Sequence, residues 1–496
     1  MSRTATPPQH KDTMTPSATA ERRIDGTQTP LVVDLDGTLI YSDLLWEALL
    51  LFLKRHFWQV WKLPLWLLLG KAGFKHKIAG LVEIDPATLP YDHGLLHHIA
   101  GQQRAGRRIV LATGSERRFA DAIGAHLKVF DLVLATEEGV NLTSDNKAAA
   151  LAALYGAQGY DYVGNARADL AVWLGARNAY SVTSTPFTLA DGRQTTHLGS
   201  RRGGAARALL KAMRPRQWLK NLLVFVPMLA GHALNTGALL QSMAAFVAFS
   251  LCASSAYLLN DALDAHDDRL HPVKRKRPIA AGSLPLPLAL IASPLLAFGA
   301  LAWCASYDWL LAGTVLIYFI CTLSYSLLLK RLLMVDIVTL AILYTLRILG
   351  GSASTGIEPS FWLLAFSFFL FLSLALLKRY SELFNLHSQG KEKTSGRGYT
   401  TADKAPISIM GVNSGFLSVL IFMLYFNSQN VLVLYPHPNF LLGVVPLLVF
   451  WLGRLWTLAF RGQVNEDPVL YVSKDKVSLA VVALCLALVL AASRSL

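Results

Sequence analysis

The sequence predicts an α/β domain with a helical cap, followed by an all-α bundle of nine membrane-spanning helices. Three observations predict it. Short β-rich runs that end at polar residues alternate with helical stretches over residues 30–188. From about residue 219 the chain divides into apolar segments near the ~20 residues a bilayer requires. Lys and Arg gather in alternate connections between those segments. With 53% hydrophobic residues and a mean hydropathy of +0.40, the 496-residue chain is too apolar for an ordinary soluble protein.

Residues 1–29 are rich in Thr, Pro, Ser and charge without an apolar core, so they read as a disordered tail rather than a targeting peptide. The runs PLVVDLDGT, RRIVLATGS, DLVLAT, YDYVGN and NAYSVT then predict the strands of a doubly wound sheet. Between the first two runs lies an insert, residues 41–106, read as the cap. Its stretch LLWEALLLFLKRHFWQVWKLPLWLLLG (Leu44–Gly70) is apolar but broken by Lys54, Arg55, His56 and Lys62. It reads either as the core of a small helical cap or as an interfacial element with tryptophans at headgroup level, and the two readings coexist. Residues 189–213 form a polar, Gly-containing linker and a short amphipathic helix. The membrane domain, 214–496, carries spans near 219–234, 238–258, 287–304, 309–328, 333–350, 360–377, 409–426, 438–458 and 477–493.

The connections 231–238, 305–308, 351–359 and 427–437 contain no Lys or Arg, whereas the opposite connections hold most of the membrane half's basic residues. This positive-inside pattern puts the N-terminus and the charged loops on the cytoplasmic face, as in a multi-pass protein of the bacterial inner membrane. It also accounts for the net charge of +14, so nucleic acid is not needed as a partner. Cys252, Cys304, Cys321 and Cys485 sit in apolar segments without metal or disulfide spacing.

Within the soluble half, Asp34-Leu35-Asp36-Gly37-Thr38 follows the first strand directly. Thr113 ends the second, Lys147 opens a helix, and Gly164-Asn165 follows a later strand with Asp169 five residues after the glycine. Four motifs at strand ends, in this order, resemble the haloacid-dehalogenase-like phosphohydrolases, whose fold is Rossmann-like α/β. The resemblance implies that Asp34 is a nucleophile forming an aspartyl-phosphate and Asp36 the acid/base. It implies that Thr113 and Lys147 hold phosphoryl oxygens, and that Asp34, Asp36, Asn165 and Asp169 hold Mg²⁺. Asn165 stands where that family most often has an acidic ligand.

The stretch Leu258–Gly282, LLNDALDAHDDRLHPVKRKRPIAAG, packs four aspartates and five basic residues beside a nearly uncharged span. Helical spacing stacks Asn260, Asp264 and Asp268 on one face with Asp261 flanking. Such a row is repulsive without a cation; hard oxygen donors suit Mg²⁺, and Lys274 to Arg277 follow for phosphate charge. Metal and cations at one place point to a diphosphate. The pattern NDxxDxxxD followed by RP resembles the UbiA-type intramembrane transferases.

Prenyl-transferring members usually carry a second aspartate pair after the sixth span. Here that loop offers Lys378, Arg379, Glu382, Lys391, Lys393, Arg397 and Tyr399 instead. RPRQWLKN (Arg214–Asn221), the stretch Tyr325–Gly351 and KRYSEL resemble the decaprenyl-phosphate phosphoribosyltransferase branch. That resemblance implies 5-phosphoribosyl-1-diphosphate as donor and polyprenyl phosphate as lipid acceptor. Asn260, Asp261, Asp264 and Asp268 would hold Mg²⁺-diphosphate, with Asp261 and Asp264 central to transfer. Lys220, Lys274, Arg277, Lys330, Arg347, Lys378, Arg379 and Tyr399 would contact phosphates, their allocation left open. Asp336 and Arg347, costly in lipid, are expected to face the bundle interior.

The combined reading is a bifunctional enzyme with one Mg²⁺ in each domain. It moves 5-phosphoribose onto a polyprenyl phosphate and then removes the 5-phosphate, giving a ribose or arabinose precursor for the cell wall. An aromatic or quinone prenyltransferase with an accessory phosphatase, and a membrane scaffold of two decayed domains, are the alternatives. Both the lipid's length and homo-oligomerisation stay open.

Overall fold

The β-rich runs become a parallel sheet because their Val, Leu and Ile side chains are buried on both faces. The computed structural model describes residues 29–137, 141–200, 203–390, 392, 397–426, 435–464 and 467–493. The tail read as disordered therefore lies almost wholly outside the described residues, as do Lys391 and Lys393.

In chain order the first elements are β1 (Leu31–Val33), α1 (Leu44–Arg55), α2 (Lys62–Leu67), α3 (Gly70–Ala79), α4 (His93–Arg104), β2 (Ile109–Glu116) and α5 (Arg117–Leu127). There follow β3 (Leu132–Thr136), α6 (Ser144–Tyr155), β4 (Asp161–Gly164), α7 (Leu170–Gly175), β5 (Ala179–Ser181) and β6 (Thr196–His197). The sheet has six strands in the order β3-β2-β1-β4-β5-β6, all parallel, with Val32 opposite Val110 on one side and Tyr162 on the other. Its core gathers Val32, Val110, Ala112, Leu151, Tyr162 and Trp173. The sixth strand is unexpected. Its two residues lie in the segment read as linker, too short for any period to show.

The helical part contains α8 (Ala205–Ala212), α9 (Val226–Ala230), α10 (Thr236–Leu263), α11 (Ala265–Leu270), α12 (Leu286–Tyr307), α13 (Trp309–Leu327) and α14 (Val335–Thr355). It continues with α15 (Phe361–Ser388), α16 (Lys404–Phe426), α17 (Asn439–Leu442), α18 (Val444–Phe460), α19 (Pro468–Val472) and α20 (Lys476–Ser493). Among the described residues eight helices are long and apolar enough to cross a membrane, which makes this a multi-pass membrane protein. The ninth expected span, 219–234, is not a continuous helix. Pro215–Phe225 forms a 3-10 helix and α9 adds only five residues. Pro227 brings no N–H, and the polar Lys220 and Asn221 interrupt the apolar run.

Close helix packing depends on small residues. A Cβ on Gly350 would lie 2.2 Å from the Phe249 ring, and one on Gly351 1.9 Å from the Val224 carbonyl oxygen. Two apolar cores result, one joining α10, α13 and α14, the other α14, α15, α16 and α18.

The chain forms two compact units that are not consecutive in sequence. The sheet unit takes the chain through Ile40, Pro64–Gly80 and Tyr91 to Ser200. The helical unit takes Tyr41–Leu63, Leu81–Pro90 and the chain from Gly203 onward. Much of the insert read as a cap over the sheet thus belongs to the helical unit. There Leu50 of α1 packs with Leu258, Ala262, Ile279 and Leu284. Trp58, Trp61 and Leu68 are strongly exposed.

Candidate functional site

In the sheet unit, β1 ends into a tight loop in which Gly37 has φ +68, a conformation glycine adopts without strain. The loop closes on Asp34, whose N–H donates to the Val163 carbonyl at 3.0 Å. Lys147 of α6 donates to Asp34 Oδ1 at 2.7 Å and to the Tyr162 hydroxyl at 3.0 Å, and Thr38 Oγ1 donates to Asp34 Oδ2 at 3.2 Å. Ser115 Oγ donates to Asp36 Oδ2 at 2.5 Å, while its N–H donates to the buried Thr113 hydroxyl at 3.0 Å. Four separate sequence motifs therefore meet at the carboxyl ends of β1, β2 and β4 and the start of α6, where open α/β sheets build their sites.

Burial pushes the Asp34 carboxyl up to about 6, the Lys147 ammonium opposes that shift, and the Asp169 and Asp36 carboxylates add to it. Lys147 stays above its usual range although burial works against its charge, because Asp34 and Asp169 face it. Asn165 sits hard against the loop, since a Cβ on Gly37 would fall 2.1 Å from its Nδ2.

Asp169, expected as a metal ligand, has partners at both carboxylate oxygens. Tyr162 OH donates to its Oδ1 at 2.8 Å, and the N–H groups of Asn165 and Ala166 donate to Oδ2 at 3.0 and 3.1 Å. Both oxygens fix the loop after β4. Glycine at 164 is required beside it, because a Cβ there would lie 2.6 Å from Asp169 Oδ2.

In the helical unit, α10 carries its apolar run to Leu263 and the chain bends at Asp264 into α11. The backbone bonds Asp264 N–H to Asn260 O (2.9 Å) and Asp268 N–H to Asp264 O (2.8 Å) keep nearly helical pitch through the bend. The expected single row becomes two pairs. Arg277 donates to Asp261 Oδ1 at 3.1 Å and to Asp268 Oδ2 at 2.6 Å, and Arg214 donates to Asp261 at 2.5 Å. Lys330 reaches Asn260 Oδ1 at 3.5 Å and Asp264 Oδ2 at 3.1 Å. Seven residues leave only about 20° between side chains on a helix, so Asp261 and Asp268 share a partner.

Nor is the row left without cations. Lys54 of α1 donates to Asp264 Oδ1 at 3.1 Å and to Asp267 Oδ2 at 2.7 Å. Asp261, Asp264, Asp267 and Asp268 are matched by Arg214, Arg277, Lys330 and Lys54. Burial works to raise the Asp264 carboxyl, but Lys330 and Lys54 prevail and hold it below the usual range. For Asp268 burial prevails over Arg277 and the carboxyl lies above it. Among the described residues no three His, Cys, Asp or Glu side chains converge as a metal cluster.

Beside the aspartates lies a cavity of about 170 Å³ whose lining includes Arg214, Lys220, Asn260, Arg347 and Lys378. Tyr257, Tyr318, Tyr325 and Tyr344 complete its polar wall. Lys220 donates to Asp467 at 2.6 Å, and Arg347 is held by Asn221 Oδ1 and Tyr318 OH at 2.8 and 2.9 Å. Arg214 occupies a left-handed backbone conformation (φ 54) just before Pro215, a strained position that aims its guanidinium over the Tyr257 ring at 5.0 Å.

Other expected phosphate contacts lie elsewhere. Arg379 is fully buried and donates to Asp336 and Glu382; the Tyr399 hydroxyl donates to Asp336 at 2.5 Å. Adjacent helical residues point about 100° apart, so Lys378 enters the cavity while Arg379 turns to α14. Asp336 and Arg347 do face inward, but Asp336 pairs with Arg379 and Arg347 with polar neighbours, not with the aspartate stretch. Lys274 acts on Asp268 only through its charge, and it does not line the cavity. Sequence reasoning missed Lys54, Tyr257, Tyr318, Tyr344 and Asp467, and quoted Arg214 without singling it out. Only Arg214 had a signal, its place in RPRQWLKN.

The helical membrane bundle belongs to a family of transferases: the chain is a member of the UbiA prenyltransferase family, whose pattern matches residues 224–474. A protein of Sinorhizobium fredii, described as uncharacterized protein y4nM, is 34% identical over 457 residues, covering 90% of this chain and 88% of that relative. Nodulation protein NoeC of Azorhizobium caulinodans is 34% identical across 56% of this chain and 91% of its own length. The decaprenyl-phosphate phosphoribosyltransferase of Corynebacterium glutamicum is 38% identical over 202 residues, which span 39% of this chain and 60% of that enzyme. A UbiA homolog from Archaeoglobus fulgidus, solved bound to GPP and Mg²⁺, aligns with 57% of this chain and 99% of its own at 16% identity and a TM-score of 0.45.

Proposed function

We propose that the chain is a bifunctional enzyme of the bacterial inner membrane, with both sites on the cytoplasmic side. It transfers 5-phosphoribose from 5-phosphoribosyl-1-diphosphate to polyprenyl phosphate and then removes the 5-phosphate. The carrying observation is the cavity beside Asn260, whose lining includes the four cations Arg214, Lys220, Arg347 and Lys378, a set suited to phosphate charge. The similarity to decaprenyl-phosphate phosphoribosyltransferases supports the same donor and acceptor.

Asn260, Asp261, Asp264 and Asp268 offer the hard oxygens Mg²⁺ takes, and they would hold it once Arg277, Lys330 and Lys54 release them. Because the stretch is already matched by basic side chains, an incoming diphosphate needs a further cation with it. Mg²⁺ there would neutralise charge developing on the departing pyrophosphate. Arg277 and Lys330, now on the aspartates, re-pair with diphosphate oxygens, and Lys378 and Lys220 hold the remaining phosphate charge. A lipid phosphate oxygen then attacks the ribose C1 as the C1–O bond to diphosphate breaks. The protein's work is positioning and charge balance.

In the sheet unit the residues support phosphomonoester cleavage of the haloacid-dehalogenase type. Asp34, the Asp36 carbonyl and the Asn165 amide oxygen fit Mg²⁺, whose charge would favour ionised Asp34. Asp34 attacks phosphorus, Asp36 protonates the leaving 5-oxygen, and Asp36 then takes a proton from the water that opens the aspartyl-phosphate. Lys147 and Thr113 hold the phosphoryl oxygens.

Incubating the full chain in membranes with labelled phosphoribosyl diphosphate, polyprenyl phosphate and Mg²⁺ tests the reading; the expected product is a ribosyl lipid. The family's description favours a second reading, prenyl transfer from a prenyl diphosphate. Turnover of prenyl diphosphate with indifference to phosphoribosyl diphosphate would select it.

A further inference from the structure

We propose that Lys54 is a positioning residue of the aspartate stretch, so that donor binding depends on a helix encoded inside the insert between β1 and β2. This deepens the donor-site reading given above and rests on it.

The helix that carries Lys54 is built into the helical unit. Asp43 caps α1 by accepting from the N–H groups of Leu45 and Trp46, and Leu50 joins the core formed by Leu258, Ala262 and Ile279. Glu47 accepts from Arg269 at 2.5 Å with both side chains nearly buried. These contacts are enough to dock α1. Lys54, the penultimate residue of the helix, adds something that docking does not require.

Its ammonium reaches Asp264 Oδ1 at 3.1 Å while Lys330 reaches Oδ2 of the same carboxylate at 3.1 Å. Asp264 is therefore clamped from both sides, one cation for each oxygen. Asp267, largely exposed, holds the lysine from the other side at 2.7 Å. A carboxylate fixed at both oxygens keeps one rotamer, which prepares it for a cation–diphosphate pair. The lysine side chain is only 22% exposed, so its charge counts for more toward Asp264 than it would on an open surface.

The test uses the full chain in nanodiscs, with Lys54→Met, Lys54→Arg and, as a docking comparison, Glu47→Gln. Binding of pyrophosphate with Mg²⁺ is read by thermal shift and isothermal titration, and KM and kcat by lipid labelling with phosphoribosyl diphosphate. Lys54→Met should weaken magnesium pyrophosphate binding and raise KM roughly tenfold, with kcat changed much less. Lys54→Arg should restore most of both, and Glu47→Gln should lower the thermal midpoint without that shift in KM. A Lys54→Met protein that binds magnesium pyrophosphate like the wild type, or whose only change is a lower midpoint, overturns the proposal. A wild type that binds no magnesium pyrophosphate overturns the donor-site reading and this inference with it.

Discussion

Arg379 and Asp336 form an ion pair in which both side chains are completely shielded from solvent, joining α15 to α14. Tyr399 donates to the same aspartate, and Arg379 also serves Glu382. Removing one partner leaves a charge buried without its counter-ion, which costs about 3–5 kcal/mol. Arg379→Met and Asp336→Asn should each lower thermal stability in detergent sharply. An unchanged midpoint in both would show that the pair holds nothing together.

The neighbouring lysine should behave oppositely. Lys378 lines the cavity together with Arg214, Lys220 and Arg347. Lys378→Met removes a cation from among cations, so the thermal midpoint should hold or rise. Lipid labelling should fall about 10–100-fold, the worth of one charge-assisted contact to phosphate. Full activity in Lys378→Met would remove the cavity from the donor and acceptor site.

Asp261 accepts from Arg214 and Arg277 together, so it sits at the centre of the aspartate cluster. Asp261→Asn should abolish lipid labelling, as should EDTA added to the wild type, and Mg²⁺ should restore activity only to the wild type. Phosphatase turnover of a small phosphomonoester should survive the substitution. Normal labelling by Asp261→Asn would sink the assignment.

Asp34→Asn keeps the volume of the side chain that Lys147 holds at 2.7 Å but removes its nucleophilicity. Wild-type protein should yield the dephosphorylated ribosyl lipid, whereas Asp34→Asn should accumulate the 5-phosphoribosyl lipid at a similar initial rate. If both proteins stop at the phosphorylated lipid, the sheet unit has another substrate or none.

Gly351→Ala probes packing alone. Its new methyl would lie 1.9 Å from the Val224 carbonyl oxygen and 3.1 Å from Pro227 Cδ, so the 3-10 segment must move away from α14. A loss of about 1–3 kcal/mol is expected, read as a lower thermal midpoint. Ser354 of the same helix, also buried, should tolerate Ala far better.

How much of this was legible in the sequence follows from the range of each interaction. The polar stops at Asp34 and Thr113 were readable because a buried parallel strand is a short apolar run, although β2 continues past Thr113 to Glu116. The long spans were readable from hydropathy. The segment 219–234 misled because composition measures apolarity and not continuity, and Pro227 breaks what the average conceals. Lys378 and Arg379 looked equivalent as neighbours, yet a single residue's step of about 100° around the helix sends them to different surroundings. Lys54 carried no local signal at all, since its partner is 210 positions away. The backbone N–H groups of Asn165 and Ala166 that donate to Asp169 were not readable, because a side chain's hold on its own loop leaves no pattern in the sequence.

The way the chain alternates between its two units has a consequence for ancestry and for dissection. The polypeptide crosses from one unit to the other after Ile40, Leu63, Gly80 and Pro90 before it finally leaves the sheet unit near residue 201. Two genes joined end to end would leave one crossing; this chain has several. A cut at the linker would strip α1 from the helical unit, exposing Leu258 and Ala262 and orphaning Arg269. One cut cannot therefore separate the units whole: a chain that begins after the linker lacks α1, and with it Leu50, Glu47 and Lys54.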